Sequence, residues 1–193
     1  MGKIYYVMGK SATGKDTIYT RLFEESKKIK KIVLYTTRPP RSDEEDGSVY
    51  NFVTREKLEE FKRANKLIEM RTYKTMYGDW TYATVDDGKI RLESRNYLVI
   101  GTLESYKKVA DYFGADKVVP IYITVDPGIR LQRALNRENM QEFPRYDEMC
   151  RRYLADEEDF SDEKLKEAGI TKFYVNENLR ACLDEIEKDM EPA

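Results

Sequence analysis

The segment Gly9-Lys10-Ser11-Ala12-Thr13-Gly14-Lys15-Asp16-Thr17 follows directly after the apolar run at residues 4–8. Its spacing, G-x-x-x-x-G-K, is that of a phosphate-binding P-loop between a strand and a helix. Glycines let the main chain curl around a phosphate, and the following helix adds its positive N-terminal end. The segment therefore predicts an ATP-binding site. Its expected members are Gly9, Ser11, Ala12, Thr13, Gly14, Lys15, Asp16 and Thr17.

Lys15 is expected to reach the β- and γ-phosphates and to act in catalysis. The usual pattern places a Ser or Thr after this lysine, whose hydroxyl contacts Mg²⁺, but this chain has Asp16. A carboxylate also binds a hard cation, directly or through water. Thr17 offers a hydroxyl next to it. We therefore expect Asp16 and Thr17 to hold Mg²⁺, and both modes of contact stay open for Asp16.

Composition excludes several other classes of function. The chain has 193 residues, enough for one domain with small inserted lobes, and its net charge is −2. No basic footprint indicates nucleic acid, and no apolar run approaches the roughly 20 residues of a membrane span. The chain has no histidine, which excludes His-based triads and the usual Cys/His zinc sites. We expect a cytoplasmic monomer or homodimer that binds small molecules, with neither nucleic acid nor membrane as partner.

Five short apolar runs alternate with helical patterns along the chain. The runs lie at residues 4–8, 32–35, 97–100, 118–123 and 173–175. Near-continuous apolar strands separated by helices are typical of a parallel sheet covered on both faces. Helical spacing of apolar residues predicts helices at 17–28, 103–113 and 179–190. The expected fold class is α/β, a three-layer P-loop NTPase fold with a five-stranded parallel sheet.

Two regions interrupt this alternation. Residues 36–95 are too long for one crossover and carry their own signals, which predict strands at 49–53, 67–74 and 80–85 and a helix at 55–65. Residues 136–148 are polar and interrupted by Pro144, with arginines on both sides. Acidic runs at 43–46 and 156–159 are interpreted as solvated faces or loops. The chain is thus expected to be one domain, 1–193, with a core made of 1–35, 96–135 and 149–193.

The inserted region carries Thr36-Thr37-Arg38-Pro39-Pro40-Arg41, then Asp46-Gly47-Ser48-Val49-Tyr50-Asn51-Phe52-Val53, then Ile68-Glu69 and Tyr77-Gly78. Together with the P-loop, this order resembles the guanylate kinase family, and the similarity runs over nearly the whole chain. The resemblance implies a core that binds ATP, an acceptor-binding lobe at 36–95, and an arginine-bearing lid at about 136–148. It also implies a transferase that moves the γ-phosphate of ATP onto a nucleoside monophosphate, with GMP the leading candidate.

The resemblance also implies roles for residues of the lobe. Arg38 and Arg41 would grip the acceptor phosphate, with two guanidinium forks presented beside a proline, and Arg38 would be catalytic. Tyr50 and Tyr77 match tyrosines that donate hydroxyls to the same phosphate. The alternatives are a surface charge pair near the acidic segment 43–46 for the arginines and simple packing for the tyrosines.

In the lid, Arg137 and Arg152 resemble the family arginines that close on the phosphates and offset developing charge. They are the expected catalytic residues there. The alignment needs a short insertion, so Arg145 or Arg151 could hold either role. A solvated helix face is the alternative for all four.

The base-reading half of the acceptor site departs from the family. Guanine recognition in the family uses a serine before T-T-R, a glutamate, a hydroxyl after Y-G, and an aspartate at the end of the third core strand. Of these four residues, only the glutamate, Glu69, is present in this chain. Gly78 is also expected in the acceptor site. Asp79 follows Gly78, and the strand end reads Ile100-Gly101-Thr102-Leu103-Glu104, where Glu104 could replace one carboxylate. Loss of such partners weakens discrimination between bases.

Two alternatives follow from these departures. With Asp16, the chain also resembles the ribose 1,5-bisphosphate kinases of the same superfamily, which carry G-K-D in the P-loop. A non-catalytic guanylate-kinase-like binding module is the other alternative, but such modules have degraded P-loops, and Gly9, Gly14 and Lys15 are retained here. We therefore expect an ATP-dependent nucleoside monophosphate kinase that uses ATP and Mg²⁺.

Overall fold

The computed structural model describes residues 2–26, 28–40, 44–48, 50–75 and 78–190, which form two β-sheets and the helices around them. In chain order the elements are β1 (Ile4–Met8), α1 (Lys15–Glu25), β2 (Ile29–Lys31), β3 (Leu34–Thr36), β4 (Tyr50–Phe52), α2 (Arg55–Arg63), β5 (Leu67–Thr75), β6 (Gly78–Val85), β7 (Asn96–Ile100), α3 (Leu103–Phe113), β8 (Val118–Thr124), α4 (Pro127–Asn139), α5 (Tyr146–Asp159), α6 (Asp162–Glu167), β9 (Phe173–Val175) and α7 (Leu179–Met190).

The larger sheet forms the centre of the molecule. Within the described residues it has five strands in the order β2-β7-β1-β8-β9, and every pairing is parallel. Side chains of β1 alternate between its faces. Val7 packs with Ile18 of α1 and Ile186 of α7, whereas Tyr6 packs with Val109 of α3. Helices therefore cover both faces, and the predicted α/β class with a five-stranded parallel sheet is confirmed.

The prediction that residues 32–35 form a strand of the core sheet is wrong. The second core strand is β2, and the apolar run belongs instead to β3 in the smaller sheet. As an edge strand, β2 pairs on one side only, with β7. The ammonium of Lys31 lies over the ring of Phe23, 4.2 Å from its centroid, so its aliphatic stem can cover apolar surface. An edge strand covered in this way does not need a continuous apolar run.

The smaller sheet and α2 form the inserted lobe. The part of the lobe that the structure describes has four strands in the order β4-β3-β6-β5, with β3 parallel to β4 and antiparallel to β6. Thr54 caps α2 by accepting a hydrogen bond from the N–H of Lys57, and Leu58 of α2 packs against the sheet. The elements predicted for the lobe are present, with β6 beginning at Gly78 rather than at residue 80 and α2 ending at Arg63.

Two helices, α4 and α5, surround the predicted lid. Residues 136–148 take in the end of α4, the connection 140–145 and the start of α5. Asp126 begins α4 by accepting hydrogen bonds from the N–H groups of Gly128 and Ile129. Among the described helices, none is both long enough and apolar enough to cross a membrane.

Candidate active site

The P-loop connects β1 to α1, and its last glycine is fixed by the final core strand. Gly14 has φ of +87°, a left-handed conformation, and a Cβ placed on it would lie 2.3 Å from Nδ2 of Asn176. That Nδ2 donates to the carbonyl of Thr13 at 2.8 Å, while the N–H of Asn176 donates to the carbonyl of Thr124. Asn176 directly follows β9, so it ties the loop to the carboxyl edge of the sheet. Its role could have been inferred from that position.

The P-loop opens onto a cavity of about 500 Å³. The cavity is lined by Ala12, Gly14, Asp16, Thr17, Arg133, Arg137, Asn176, Glu177 and Leu179. Beside it, the Lys15 ammonium lies 3.1 Å from a carboxylate oxygen of Asp16. The beginning of α1 and the arginines of α4 thus place positive charge around one space, as a polyphosphate requires. Sequence reasoning missed Arg133, although it lies one helical turn before Arg137.

Mg²⁺ is the cation that the loop implies, and Asp16 and Thr17 are suited to it. Both residues are exposed to the cavity, and they offer a carboxylate and a hydroxyl, which are hard oxygen ligands. Among the described residues no three His, Cys, Asp or Glu side chains gather into a metal cluster. Mg²⁺ usually takes only one or two carboxylates and completes its shell with phosphates and water. The donor set therefore fits Mg²⁺ together with a bound nucleotide.

Asp156 and Glu157 of the acidic run 156–159 contact the P-loop, so the interpretation as a solvated face is wrong for these two residues, whereas Glu158 and Asp159 are exposed. The N–H of Ser11 donates to Asp156 Oδ2 at 2.7 Å, and the Lys10 ammonium donates to Glu157 at 2.6 Å. Arg130, which is only 2% exposed, lies 3.5 Å from Asp156 and also contacts Glu157. These cations lie far away in the sequence, so the local charge pattern could not reveal them. One P-loop amide thus already binds an anionic oxygen.

Two of the proposed lid arginines lie next to the P-loop. Arg137 lines the 500 Å³ cavity, and together with Arg152 and Ser11 it also lines a smaller one. Arg152 donates to Glu148 at 3.0 Å. The structure therefore brings Arg137 and Arg152 to the loop, and their catalytic roles stay predictions.

The other two arginines line neither of these cavities. Arg145 pairs with Asp147 at 3.4 Å, and Arg151 pairs with Glu148 at 2.7 Å. The hydrogen bond from Arg151 is the main cause that lowers the pKa of Glu148 to about 2. These surface pairs match the alternative of a solvated helix face.

Arg38 is buried in the inserted lobe and already holds a carboxylate. Its Nη2 donates to both oxygens of Glu44 at 2.8 Å, and its Nη1 donates to the carbonyl of Pro39. Burial works to lower the pKa of Arg38, but the Glu44 carboxylate outweighs this and holds the pKa above its ordinary value. The Glu44 side chain is only 11% exposed. For this one residue, the interpretation of the run 43–46 as solvated is therefore wrong. Arg41 lies outside the described residues.

Tyr50 lies beside Arg38, whose guanidinium carbon is 5.5 Å from the centre of the tyrosine ring. The ring also packs edge-on against Tyr82, and burial raises the pKa of Tyr50. Gly78 begins β6 with φ of +106°. Tyr77 lies outside the described residues. The structure thus brings Tyr50 to the expected phosphate arginine, and its contact with the acceptor stays a prediction.

Glu69 lies on β5 with a fully buried side chain. Thr84 donates to its Oε1 at 2.9 Å. Arg71, two residues further along the strand on the same side, donates Nη2 to Oε1 at 3.4 Å and Nη1 to Thr102 Oγ1 at 3.0 Å. Sequence reasoning missed Arg71, although its position two residues after Glu69 was the available signal.

A cavity of about 580 Å³ opens beside Arg71. It is lined by Met70, Arg71, Thr72, Tyr73, Thr102, Leu103, Glu104, Lys107, Asp159, Lys164 and Glu167. Asp159 stands at the end of α5, three residues after the Asp156 that contacts the P-loop. Helix α5 therefore contacts the P-loop through Asp156 and lines the cavity beside Arg71 through Asp159.

Comparison with known proteins identifies relatives of one kind. The guanylate kinase family model matches residues 1–96. The guanylate kinase of Neisseria gonorrhoeae is 33% identical over 99 residues, which are 51% of this chain and 46% of that protein. The chain thus spans about half the length of the first relatives that it matches. The guanylate kinase of Porphyromonas gingivalis is 24% identical over 195 residues, covering 97% of this chain and 96% of that protein.

The solved structure of guanylate kinase from Anaplasma phagocytophilum has the same fold. The match has a TM-score of 0.63 at 20% identity and covers 98% of this chain and 84% of that one. The five-stranded parallel sheet, the P-loop and the inserted lobe described above agree with this match. By sequence over its first 96 residues and by fold over nearly its whole length, the chain is similar to guanylate kinases.

Proposed function

We propose that this protein is an ATP-dependent nucleoside monophosphate kinase, with GMP as the leading candidate acceptor. The observation that carries the proposal is the 500 Å³ cavity, where the P-loop and the arginines of α4 meet. Its lining brings Arg133 and Arg137 to the P-loop glycine Gly14 and to the start of α1, with the carboxylates of Asp16 and Glu177 beside them. The guanylate kinase relatives support GMP as the acceptor.

The donor half depends on the P-loop. Lys15 would neutralise the β- and γ-phosphates, and the amide of Ser11 would donate to a phosphate oxygen in place of Asp156. Bound Mg²⁺ would supply further charge neutralisation at the transferred group, held by Asp16 and Thr17. Arg137 would close on the same phosphates from α4 and offset the charge that develops during transfer.

The acceptor half depends on Arg38, with Tyr50 beside it. Nη2 of Arg38 donates to both oxygens of Glu44, and the oxygens of an acceptor phosphate would take the place of that carboxylate. Transfer requires the acceptor phosphate to lie in line with the γ-phosphate, so the lobe must close on the core during turnover. Closure would also exclude water and limit ATP hydrolysis.

A coupled assay of ADP release tests the proposal. The protein is incubated with ATP and Mg²⁺ and with GMP, AMP, CMP or UMP in turn. We expect turnover with at least one of them, and with GMP most of all. If ADP release never rises above the rate without acceptor, the protein is not a nucleoside monophosphate kinase.

A further inference from the structure

We infer that Arg71 determines the specificity of the acceptor site, selecting an acceptor with keto or anionic oxygens at the end remote from its reacting phosphate. The inference rests on the proposed function and names the chemical class of the acceptor. Three features carry it: the state of the Glu69 carboxylate, the donors left on Arg71, and the cavity beside them.

The Glu69 side chain is buried and does not line the cavity, although its Oε2 makes no hydrogen bond among the described residues. Its side chain is 0% exposed, and its Oε1 already accepts from Thr84 and Arg71. Its Oε2 lies 3.1 Å from Arg71 Nε. A carboxylate that reads the N–H donors of guanine must present an oxygen to them, and Glu69 presents none to the cavity. A ligand in the cavity therefore meets Arg71 before Glu69.

Arg71 has donors to spare. A guanidinium carries five N–H groups in a rigid fork and accepts no hydrogen bonds. Among the described residues, Arg71 makes one hydrogen bond to Thr102 and one to Glu69, from its two terminal nitrogens, whereas its buried Nε makes none. The side chain is 13% exposed and lines the 580 Å³ cavity. The complement of such a group is an acceptor oxygen or ring nitrogen.

Arg71 is the charged group of this cavity that is expected to select the acceptor. Its volume is within the range of sites for small molecules. Lys107 and Lys164 line it together with Glu104, Asp159 and Glu167, so its other charges are of both signs. Lys107, Lys164, Glu104 and Glu167 are exposed, and solvent screens them far more than the largely buried Arg71.

Two kinds of acceptor share the required chemistry. Keto bases offer ring-carbonyl oxygens, and guanine offers O6 with N7, the pair that arginine most often reads. A sugar bisphosphate offers the oxygens of its second phosphate. IMP separates the two ways of reading a purine, since hypoxanthine keeps O6 and N7 but lacks the 2-amino donor that a free carboxylate would read. AMP has an amino group in place of O6.

The experiment measures kcat/KM for GMP, IMP, UMP, AMP and ribose 1,5-bisphosphate. We expect IMP to be within about threefold of GMP and AMP to be lower by about a hundredfold or more, since a missing partner leaves a buried polar group unpaired. A preference for ribose 1,5-bisphosphate supports the anionic form of the same inference. If GMP exceeds IMP by about a hundredfold, the 2-amino group is being read and the inference is wrong.

Variants test whether Arg71 is the reader. Arg71→Lys keeps the charge and loses the fork, so the KM of the preferred acceptor should rise about tenfold or more while the Kd for ATP stays the same. The double variant Arg71→Met/Glu69→Gln removes both buried charges together and should show the same loss if it folds. The matched control is Arg63→Met, at an exposed arginine of α2. An unchanged acceptor KM in Arg71→Lys overturns the inference.

Calorimetric titration of each acceptor in the absence of ATP separates the two proposals. If acceptors bind in a manner that depends on Arg71 but none is phosphorylated, the proposed function fails and the inference stands. If an acceptor is phosphorylated and neither its binding nor its KM depends on Arg71, the inference fails and the proposed function stands.

Discussion

Arg38 carries its own counter-ion, Glu44, in the place where the acceptor phosphate is expected. We predict that Arg38→Met lowers kcat/KM for the acceptor by about a hundredfold or more, because a bidentate charged contact is lost. The Kd for ATP, measured by calorimetry, should change little, because Arg38 lies in the lobe and not in the P-loop. An equal loss of both properties would contradict its assignment to the acceptor.

The same substitution has a second effect, on stability. Arg38→Met leaves the Glu44 carboxylate without its bidentate partner, and breaking a buried pair in this way costs about 3–5 kcal/mol. The double variant Arg38→Met/Glu44→Gln should recover most of that free energy of unfolding, as measured by urea denaturation. If the double variant is as unstable as the single one, the pair is not the cause of the loss.

Lys15 is the residue proposed to contact the β- and γ-phosphates of the donor. We predict that Lys15→Met lowers kcat by about a hundredfold or more, since a charge directed at the transferred phosphoryl group is removed. Lys30→Met is the matched control, at an exposed lysine of β2, and should behave as the unmodified protein does in the ADP-release assay. Comparable losses in the two variants would exclude a special role for Lys15.

Among single residues, the sequence could predict those whose position is set by a short motif. Lys15 and Arg38 follow from short motifs, since a loop of a few residues places them. The contacts of Arg38 with Glu44, of Arg71 with Thr102, and of Asp156 with Ser11 could not be read in the same way. Each needs a distance in space that chain order does not give, and each of these charged side chains is equally compatible with solvent.

Among the elements, the P-loop is the one whose geometry allows the sharpest test. Gly14 and Gly88 have nearly the same positive φ, +87° and +83°, but a Cβ added at Gly14 would meet Asn176, whereas one added at Gly88 would meet nothing within 4 Å. Gly88→Ala should therefore cost only the left-handed backbone penalty of about 1–2 kcal/mol. Gly14→Ala should cost at least about 1 kcal/mol more, because the methyl group meets Asn176, and should weaken ATP binding.

Urea denaturation and ATP calorimetry on the two glycine variants check this prediction. Equal losses of stability would show that the contact with Asn176 is relieved without cost.

Elements were predictable where they are long and buried on both faces. The runs that became β1, β7 and β8 are of this kind, and the helices between them show clear apolar stripes. The short edge strand β2 was not predictable, because Lys30 and Lys31 hide its pattern and the stronger run next to it belongs to the other sheet. Three residues carry too little periodicity to decide between the sheets.

For the whole molecule, the absence of histidine predicts the dependence of stability on pH. No side chain with an ordinary pKa titrates between about pH 5.5 and 8 in this chain. Buried tyrosines have raised pKa values, with that of Tyr122 raised to about 12 by burial. Their stabilisation is complete below the unfolded pKa of about 10 and is lost as the pH rises toward the folded value. The lowered pKa of Glu148 has the opposite effect, because its stabilisation is present above the unfolded pKa and is lost as the pH falls in acid.

We therefore expect a free energy of unfolding that is flat between about pH 5.5 and 8. It should fall above about pH 10, and it should fall again as the pH drops below about 4, where paired carboxylates such as Asp189 become protonated. Urea denaturation at a series of pH values measures the curve. A change of more than about 1 kcal/mol between pH 5.5 and 8 would contradict it.

The end of α5 has a mechanical consequence. Asp156 and Asp159 stand three residues apart in this helix, about 4.5 Å along its axis. Asp156 accepts from the N–H of Ser11 in the P-loop, and Asp159 lines the 580 Å³ cavity. A phosphate that replaces Asp156 at the P-loop is expected to displace the end of α5, which lines the neighbouring cavity. Binding at the P-loop and binding in the 580 Å³ cavity are thus expected to alter each other's affinity.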